Sequence, residues 1–362
     1  MSGHIFVLTR ATVGGVQIEL LSLLRRFTKC HVDCVLIVGR SGPLLKDFRA
    51  IDGLKVVCLS ELRTGFLSSH FEFWKYCIKY RSFRWYIFSV EYRFKSALFL
   101  KRKNTVYRHS GMIFNSRMRI PLLIINFFVE FVNVYTSSQV VTVSHTIENK
   151  LRRWFIFQKR ITTVPTYYDN IRFIGVDKVI SRDLVLKEFG LLETTSIIVC
   201  PLSFVRDKNQ DWLYKILLGL QDVKITLLFC GDGELRQDMQ DMLLSTENLT
   251  VYFLGNIINI ETYICAADIV ASTSTYMEGL PQIISQSHYC RTPFFGWDWE
   301  GNRDEVDAGV NGELFTVGDN QTFQKYVLDC LAGVRKYHFP DCIILDHGER
   351  ALDKLYESFL SL

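Results

Sequence analysis

Residues 278–286 read Glu-Gly-Leu-Pro-Gln-Ile-Ile-Ser-Gln, and they carry the strongest functional signal of the chain. The preceding residues 266–270, Ala-Ala-Asp-Ile-Val, are typical of a short buried strand, and a helix is expected from Pro281 onward. Proline suits the first position of a helix because it lacks the N–H that would be unpaired there. The next N–H groups attract phosphate, and Glu278 can accept hydrogen bonds from hydroxyl groups. The stretch fits a sugar joined to a diphosphate, but it also fits a capped helix beside a loop glutamate.

The segments around this stretch resemble those of one enzyme family. Residues 266–268, 278–281, 301–306 and 309–312 together resemble the donor half of retaining glycosyltransferases of the GT-B fold, in particular the group-1 family (family 4) with its Glu-x7-Glu motif. The resemblance implies an α/β protein with two Rossmann-like, doubly wound domains facing across a cleft. It implies that Glu278 is the first motif glutamate. Binding of a nucleotide-sugar donor is then expected at residues Gly279, Leu280, Pro281, Gln282 and Gln286.

Gln286 departs from the family pattern. It stands where the second glutamate of the motif would hold the ribose hydroxyls of the nucleotide. The amide keeps a carbonyl acceptor and adds donors, so binding is compatible with the change. The nucleotide and the rate of turnover do not follow from the motif.

Another segment of the donor half, residues 203–211, contains candidate phosphate-binding cations. The family has an arginine there and, five residues later, a lysine, and both grip the diphosphate. Lys208 takes the lysine position, Ser203 replaces the arginine, and Arg206 between them offers a substitute cation. Both Lys208 and Arg206 are also compatible with solvated loop positions. These cations and the helix end at Pro281 would stabilise the departing diphosphate, so neither a metal nor a cofactor is expected. The segment Asp298-Trp299-Glu300 has the spacing of an Asp-x-Asp metal motif but lies beside the Gly301-Asn302 loop.

The N-terminal half offers three weaker candidates. Residues 5–8 predict a strand, which the Gly14-Gly15 turn follows. This turn is compatible with a plain connection to a helix. The resemblance implies instead that its backbone lies against the donor phosphates. His109 ends a predicted strand at 104–109, at the sheet edge where α/β proteins bind ligands. The resemblance places it near the donor sugar in a catalytic role with Glu278 and Lys208. A structural histidine is equally compatible with the sequence.

Length and composition fit two globular domains. The chain has 362 residues, of which 48% are hydrophobic and 22% charged. We expect an N-terminal acceptor-binding, membrane-facing domain at 1–170 and a donor-binding domain at 171–345. The amphipathic segment 346–362 is expected to cross back onto the N-terminal domain, as the last helix does in this fold.

Charge is divided unevenly between the halves. Residues 1–170 contain 26 Lys and Arg against 10 Asp and Glu, a balance of +16, and the remaining residues contain 16 against 28, a balance of −12. In residues 64–103 many aromatic rings alternate with lysines and arginines. Such a segment suits an anionic membrane surface, nucleic acid, or an aromatic helical layer packed on the sheet. Because no nucleic-acid-binding signature accompanies it, the membrane is favoured over nucleic acid. The apolar helix expected at 122–131 is left open between core and membrane.

The remaining features concern location. The ten cysteines form no CxxC pair, and free thiols in a reducing cytoplasm are expected. The N-terminal apolar run is too short for a secretory signal, and no uninterrupted apolar run approaches the length of a membrane span. We therefore predict a cytoplasmic protein, peripheral at the inner face of the membrane.

The predicted function is transfer of a hexosyl-type sugar, with retention, from a nucleotide-sugar to a saccharide or lipid-linked saccharide acceptor in cell-surface polysaccharide synthesis. Three alternatives remain open. They are a GT-B sugar-nucleotide epimerase or phosphorylase, a catalytically weakened scaffolding homologue, and a nucleic-acid binder.

Overall fold

The computed structural model describes residues 3–12, 14–30, 32–62, 66–88, 104–111, 120–154, 160–166, 170–173, 175–275, 278–339 and 349–360. The chain forms two compact units. The N-terminal unit comprises Met1–Tyr168 together with Glu349–Leu362, and the C-terminal unit comprises Asp169–Gly348. The sequence placed these boundaries after residues 170 and 345.

The N-terminal unit is built on a parallel sheet of seven strands in the order β3-β2-β1-β4-β5-β6-β7. The strands are β1 His4–Arg10, β2 Cys34–Arg40, β3 Leu54–Cys58, β4 Arg84–Ile87, β5 Thr105–His109, β6 Gln139–Thr142 and β7 Arg160–Thr163. The helices are α1 Gly15–Lys29, α2 Leu45–Arg49, α3 Leu59–Leu62, α4 Phe66–Lys79, α5 Ile120–Thr136, α6 His145–Trp154 and, from the end of the chain, α14 Glu349–Leu360.

Alternate residues of the central strands point to opposite faces of this sheet, and each face has its own apolar core. Phe6 and Leu8 of β1 pack with α1 and α14 on one face. Ile5 and Val7 pack on the other face with Phe73 of α4. Because both faces are covered, the strands read as continuous apolar runs rather than alternating ones.

The C-terminal helix α14 is held to the N-terminal unit by its apolar side and by its last carbonyl groups. The ring of Phe359 stacks on Tyr86 at a centroid distance of 4.7 Å. Arg84 donates from Nη1 to the carbonyl oxygens of Phe359 and Leu360, both at 3.0 Å. A cation that binds the final carbonyls of a helix also opposes the negative end of its dipole. Arg84 therefore serves the fold, although the sequence grouped it with the surface cations of 64–103.

The C-terminal unit contains a parallel sheet of six strands in the order β10-β9-β8-β11-β12-β13. Its strands are β8 Ser196–Cys200, β9 Ile225–Cys230, β10 Leu249–Gly255, β11 Ile269–Ser272, β12 Phe294–Trp297 and β13 Gly312–Phe315. Its helices are α7 Lys178–Phe189, α8 Gln210–Leu218, α9 Arg236–Met242, α10 Ile260–Ala266, α11 Gln282–Tyr289, α12 Glu300–Arg303 and α13 Asn320–Leu331. Both sheets thus have the doubly wound order of Rossmann-like domains.

The expectation that all cysteines are free thiols is wrong for one pair. Cys265 in α10 and Cys290 at the end of α11 form a disulfide, with Cα atoms 4.8 Å apart. The two residues are 25 positions apart in sequence. They meet because α10 and α11 are packed together, which spacing along the chain does not reveal. The other described cysteines are free: Cys30, Cys34, Cys58, Cys77, Cys200, Cys230 and Cys330.

None of the helices within the described ranges combines the length and apolar character needed to cross a bilayer.

Candidate donor site

The candidate donor site of the C-terminal unit lies where the strand order reverses. The chain runs from β8 outward to β10 on one side and then returns to place β11 on the other side of β8. At such a switch point the two following loops leave in opposite directions, and a crevice opens at the carboxyl ends of the strands. Lys208 follows β8, and Glu278 follows β11. The topology therefore explains how residues 70 positions apart reach one place.

Lys208 and Glu278 form an ion pair through Nζ and Oε1. The Lys208 ammonium is also 3.3 Å from Oγ of Ser274. The Lys208 side chain is 15% exposed and the Glu278 side chain 30% exposed, so both remain accessible to a ligand. A diphosphate that reaches Lys208 would share this cation with Glu278. Two groups that the sequence assigned to the phosphates and the sugar are thus adjacent.

Backbone contacts fix the two loops to each other. Thr275 donates from its N–H to the carbonyl of Asp207 at 2.7 Å, and the hydroxyl of Thr273 donates to the carbonyl of Lys208 at 2.9 Å. The indole N–H groups of Trp297 and Trp299 donate to the carbonyls of Thr273 and Ser274 at 2.9 and 3.0 Å. Lys208 is therefore held by main-chain contacts that do not depend on its own charge, which is the arrangement expected of a preorganised site.

Glycines allow the neighbouring loops to approach closely. A Cβ at Gly231 would lie 2.3 Å from the carbonyl oxygen of Leu202, and one at Gly233 would lie 2.4 Å from that of Phe204. A Cβ at Gly301 would lie 2.1 Å from the carbonyl oxygen of Glu278. The Gly-Asp-Gly turn at 231–233 and the Gly-Asn segment at 301–302 are thus packing elements that position the loops of Lys208 and Glu278.

The sequence predicted that Pro281 is the first residue of helix α11. In the structure it lies one position earlier, as the N-cap residue. Its φ and ψ of −68° and 120° are extended, and the helix begins at Gln282. The restricted φ of proline fits both positions, so only ψ distinguishes them. Gly279 and Leu280 are buried before it. Gln282 and Gln286 are half-buried and lie one helical turn apart on the same side of α11. Both come after Glu278 in the sequence.

Arg206 and Ser203 are exposed. Arg206 and Lys208 belong to one 3-10 turn, Arg206–Lys208, which ends at Asn209 in the left-handed conformation with φ of 54°. Lys208 contacts Glu278, whereas Arg206 has no side-chain hydrogen bond or ion pair within the described part of the chain. The role of Arg206 as a substitute cation stays a prediction.

Asp298, the first carboxylate of the Asp-Trp-Glu segment, is engaged with an arginine. Asp298 binds Arg303 through two contacts of 2.6 and 2.8 Å, and this hydrogen bonding lowers the pKa of its carboxyl group. Among the residues that the structure describes, no group of three His, Cys, Asp or Glu side chains could hold a metal ion. Metal independence stays a prediction.

The N-terminal candidates lie at the carboxyl edge of their own sheet. Gly14 is the N-cap of α1, which has no side-chain cap and no acidic residue in its first turn. Gly15 is the first residue of that helix. His109 ends β5 but is buried, with Nε2 placed 3.0 Å from Oε1 of Glu130 in α5. The structure therefore gives His109 an internal partner that sequence reasoning missed.

Burial and the neighbouring Glu130 carboxylate raise the pKa of Tyr107 well above its ordinary value, and its hydroxyl is 3.3 Å from Oε2 of Glu130. Asn133 also contacts Oε2 at 3.4 Å. His109 thus belongs to a buried polar cluster beneath α5. Contact of His109 with a donor sugar stays a prediction.

A second buried pair, which the sequence did not suggest, joins β5 to α1. Arg108 binds Glu19 with two contacts, Nη2–Oε1 at 2.7 Å and Nε–Oε2 at 3.1 Å, and both side chains are fully buried. Arg108 also donates to the carbonyl groups of Thr142 and Val164 at 2.9 and 2.6 Å. This pair ties the carboxyl ends of three strands to the helix that follows Gly14. No local pattern marks it, because the two partners are 89 positions apart in sequence.

Helix α4 presents two different faces. Phe73 and Cys77 are buried against the sheet, whereas Phe71, Trp74 and Ile78 are 67%, 42% and 52% exposed. Lys75 and Lys79 are exposed among them at helical spacing. The aromatic residues of 64–103 are therefore divided between core and surface, and residues 89–103 lie outside the described ranges. On α5, Ile124, Phe127 and Phe128 are also exposed at helical spacing.

The sequence of the C-terminal unit is similar to that of known proteins. Residues 181–338 match the family described as "Glycosyl transferases group 1". Residues 181–338 of the C-terminal unit are therefore similar to group-1 glycosyltransferases, in agreement with the family and the enzyme class that the sequence predicted. EpsD of Bacillus subtilis (strain 168), whose name provisionally assigns it to the glycosyltransferases, is 26% identical over 165 residues. That alignment covers 45% of this chain and 42% of EpsD, less than half of either protein.

Solved structures resemble the whole chain. Anabaena Alr3699/HepE in complex with UDP-glucose has a TM-score of 0.78 and 17% identity over 99% of both chains. Sucrose-phosphate synthase (tll1590) from Thermosynechococcus elongatus has a TM-score of 0.75 and 15% identity, again over 99% of both chains. The lipopolysaccharide glycosyltransferase WaaG has a TM-score of 0.69 and 10% identity, over 99% of this chain and 95% of WaaG. At these identities the likeness establishes the fold, and the predicted GT-B fold with two Rossmann-like domains is confirmed.

Proposed function

We propose that this protein transfers a sugar from a nucleotide-sugar to an acceptor hydroxyl with retention at the anomeric carbon. The observation that carries the proposal is the Lys208–Glu278 pair at the strand-order reversal of a group-1 glycosyltransferase domain. The cation suits the diphosphate of the donor, and the carboxylate suits sugar hydroxyls. HepE, a protein of similar fold, was solved with UDP-glucose, so UDP-sugars are the first donors to test.

In the proposed reaction, the bond between the anomeric carbon and the diphosphate oxygen breaks, and a bond to the acceptor oxygen forms on the same face. The acceptor hydroxyl proton passes to the departing diphosphate, which leaves as a nucleoside diphosphate. Negative charge grows on that diphosphate as its bond to sugar breaks. Lys208, with Arg206 and the N-terminal end of α11, would stabilise this charge because they are fixed before the reaction.

The proposed acceptor is a lipid-linked saccharide, and the proposed location is the cytoplasmic face of a membrane, where such an acceptor and a nucleotide-sugar can meet. The exposed face of α4 supports this. Phe71, Trp74 and Ile78 offer apolar insertion, while Lys75 and Lys79 lie among them and suit anionic headgroups. The product would then belong to a cell-surface polysaccharide or glycolipid.

The donor half of the proposal is tested with a panel of nucleotide-sugars. A bound donor should raise the unfolding temperature, because a ligand at a hundred times its Kd stabilises by about 2.7 kcal/mol. The stabilising donor is then assayed for sugar transfer with and without a lipid acceptor. Release of nucleoside diphosphate with formation of a glycosylated lipid supports the proposal. Binding without turnover would favour the weakened scaffolding homologue, and interconversion of the nucleotide-sugar would favour an epimerase.

The membrane half is tested by co-sedimentation with vesicles of neutral or anionic lipid at low and high salt. Phe71→Ser with Trp74→Ser should weaken binding to anionic vesicles by about tenfold or more, since each large apolar side chain contributes roughly 1.5–3 kcal/mol when buried. Val179→Ser, at an exposed apolar position of the C-terminal unit, is the matched control. Lys75→Glu with Lys79→Glu should remove the preference for anionic lipid. Equal binding to both lipids by the wild type, or none, contradicts this half.

A further inference from the structure

The disulfide between Cys265 and Cys290 joins the carboxyl ends of helices α10 and α11. The stretch between the two cysteines contains β11, Glu278 and the whole of α11, so the disulfide closes a loop around the central segment of the candidate donor site. The N–H of Cys290 donates to the carbonyl of Gln286 at 3.2 Å. The disulfide therefore lies one helical turn beyond the residue that the sequence assigned to the ribose.

The chain leaves α11 through a turn that a residue with a side chain rarely adopts. Arg291 has a φ of 52°, in the left-handed region where a helix usually ends in glycine. The N–H of Arg291 donates to the carbonyl of His288 at 2.9 Å. The N–H of Thr292 donates to the carbonyl of Ser287, also at 2.9 Å, which completes a Schellman motif. Because the left-handed conformation is unfavourable for arginine, this helix end opens more readily than one that ends in glycine.

Opening of this helix end gives a reductant access to the disulfide. Cys290 is the C-cap residue of α11 and is 7% exposed in the closed form. Other contacts keep the two helix ends together after the disulfide is broken. The hydroxyl of Thr292 donates to the carbonyl of Ile264 at 2.9 Å, one residue before Cys265. Reduction therefore removes one restraint from α11 and leaves the fold in place.

We propose that Cys265 and Cys290 form a reversible redox switch that sets the mobility of α11 and, through it, the affinity of the donor site for nucleotide. In a reducing cytoplasm, the disulfides that do form are usually transient and serve catalysis or redox sensing. Reduction breaks the S–S bond, and each sulfur gains one electron and one proton. Two thiols of the reductant, which is glutathione or a protein dithiol, become a disulfide in exchange. The inference rests on the proposed function for the nucleotide and for the cytoplasmic location.

The switch is tested on full-length wild-type protein equilibrated in buffers with different ratios of reduced to oxidised glutathione. Alkylation of free thiols in denaturant counts the oxidised and reduced forms, which should interconvert as the ratio changes. Hydrogen exchange of residues 282–290 should be faster in the reduced form by about tenfold or more, because the loss of a disulfide frees the loop that it closes. Exchange in α8 should stay the same in both forms. This comparison needs no substitution.

Two variants identify the thiols that carry the effect. Cys265→Ser with Cys290→Ser should exchange like the reduced wild type in both buffers. Cys30→Ser removes an exposed free thiol of the N-terminal unit and should respond to glutathione as the wild type does. A response that is lost in Cys30→Ser, or kept in the double variant, would assign the effect to other thiols and overturn the inference.

Nucleotide affinity is measured by titration calorimetry on both forms, with UDP and GDP as probes. Reduction should weaken binding of the preferred nucleotide by about fivefold or more, an ordinary strength of coupling between two sites. Three further results would overturn the inference: a disulfide that persists at every glutathione ratio, equal exchange of residues 282–290 in the two forms, or a nucleotide affinity that is the same in both. A protein that binds neither nucleotide but shows redox-dependent exchange of α11 would refute the proposed function and leave the switch intact.

Discussion

Replacing Lys208 by alanine separates a chemical role of this residue from a structural one. The substitution removes the ammonium that contacts Glu278 and Ser274 but leaves the main-chain contacts that hold its loop. Loss of a preorganised group that stabilises developing charge costs on the order of a hundredfold in kcat, equivalent to about 2.7 kcal/mol. We therefore expect kcat for sugar transfer to fall by at least that factor.

The structural cost of the same change should be small. Glu278 loses its ion-pair partner but is 30% exposed, so water can solvate its carboxylate. We expect a loss of about 1 kcal/mol, which lowers the Tm by about 2–4 °C in a domain of this size. Calorimetry and circular dichroism check this before the kinetics are interpreted.

Lys215→Ala is the matched control for Lys208→Ala. Lys215 pairs with Asp211 at 2.9 Å in α8, close in sequence to Lys208, but it is 64% exposed and makes no contact with Glu278. It should leave kcat within about twofold. If folded Lys208→Ala protein turns over like the wild type, or if Lys215→Ala is impaired to the same degree, the assignment of Lys208 to the diphosphate is wrong.

Two further predictions concern one residue of the site and one of the fold. Gln286→Ala should weaken nucleotide binding by roughly 1–3 kcal/mol, as when a buried polar partner is left unsatisfied, whereas Gln286→Glu should be tolerated. If a calorimetric titration shows unchanged nucleotide affinity for Gln286→Ala, Gln286 does not contact the ribose. Arg108→Met should reduce the free energy of unfolding by about 3–5 kcal/mol, because it strands the buried Glu19 carboxylate. Adding Glu19→Leu should restore part of that loss in a denaturant titration but not all of it, since the carbonyls of Val164 and Pro165 lose the Arg108 donor. A single variant as stable as the wild type would refute this account.

The strand positions, and the placement of Lys208 and Glu278 after two neighbouring strands, could be predicted from sequence because they depend on short-range patterns. Apolar runs such as 196–200 mark strands covered on both faces, and polar residues after them mark the edge where ligands bind. That logic brought Lys208 and Glu278 to the same region. Their direct contact was not predictable, since it depends on how Thr273 and Thr275 pin one loop to the other.

The errors and omissions have equally specific causes. Pro281 was placed one position too far into the helix because its φ fits both positions. The pairs Arg108–Glu19 and His109–Glu130 join residues far apart in sequence through tertiary packing, and their spacing carries no signal. In 64–103 the density of aromatic residues was informative, but density alone did not separate the buried Phe73 from the exposed Phe71. The helical period of α4 makes that separation.

The two departures from the family pattern in the donor half have opposite charge. Ser203 stands where the family has an arginine, and Gln286 stands where it has a glutamate. One positive and one negative charge are thus absent together, while Lys208 and Glu278 remain and pair with each other. The net charge of these two positions together is therefore the same as in the family pattern. Loss of function would require no such compensation, so the paired departures favour a working site with altered nucleotide contacts over a weakened homologue. The exposed Arg206 beside Lys208 is then available to supply a second cation to the diphosphate.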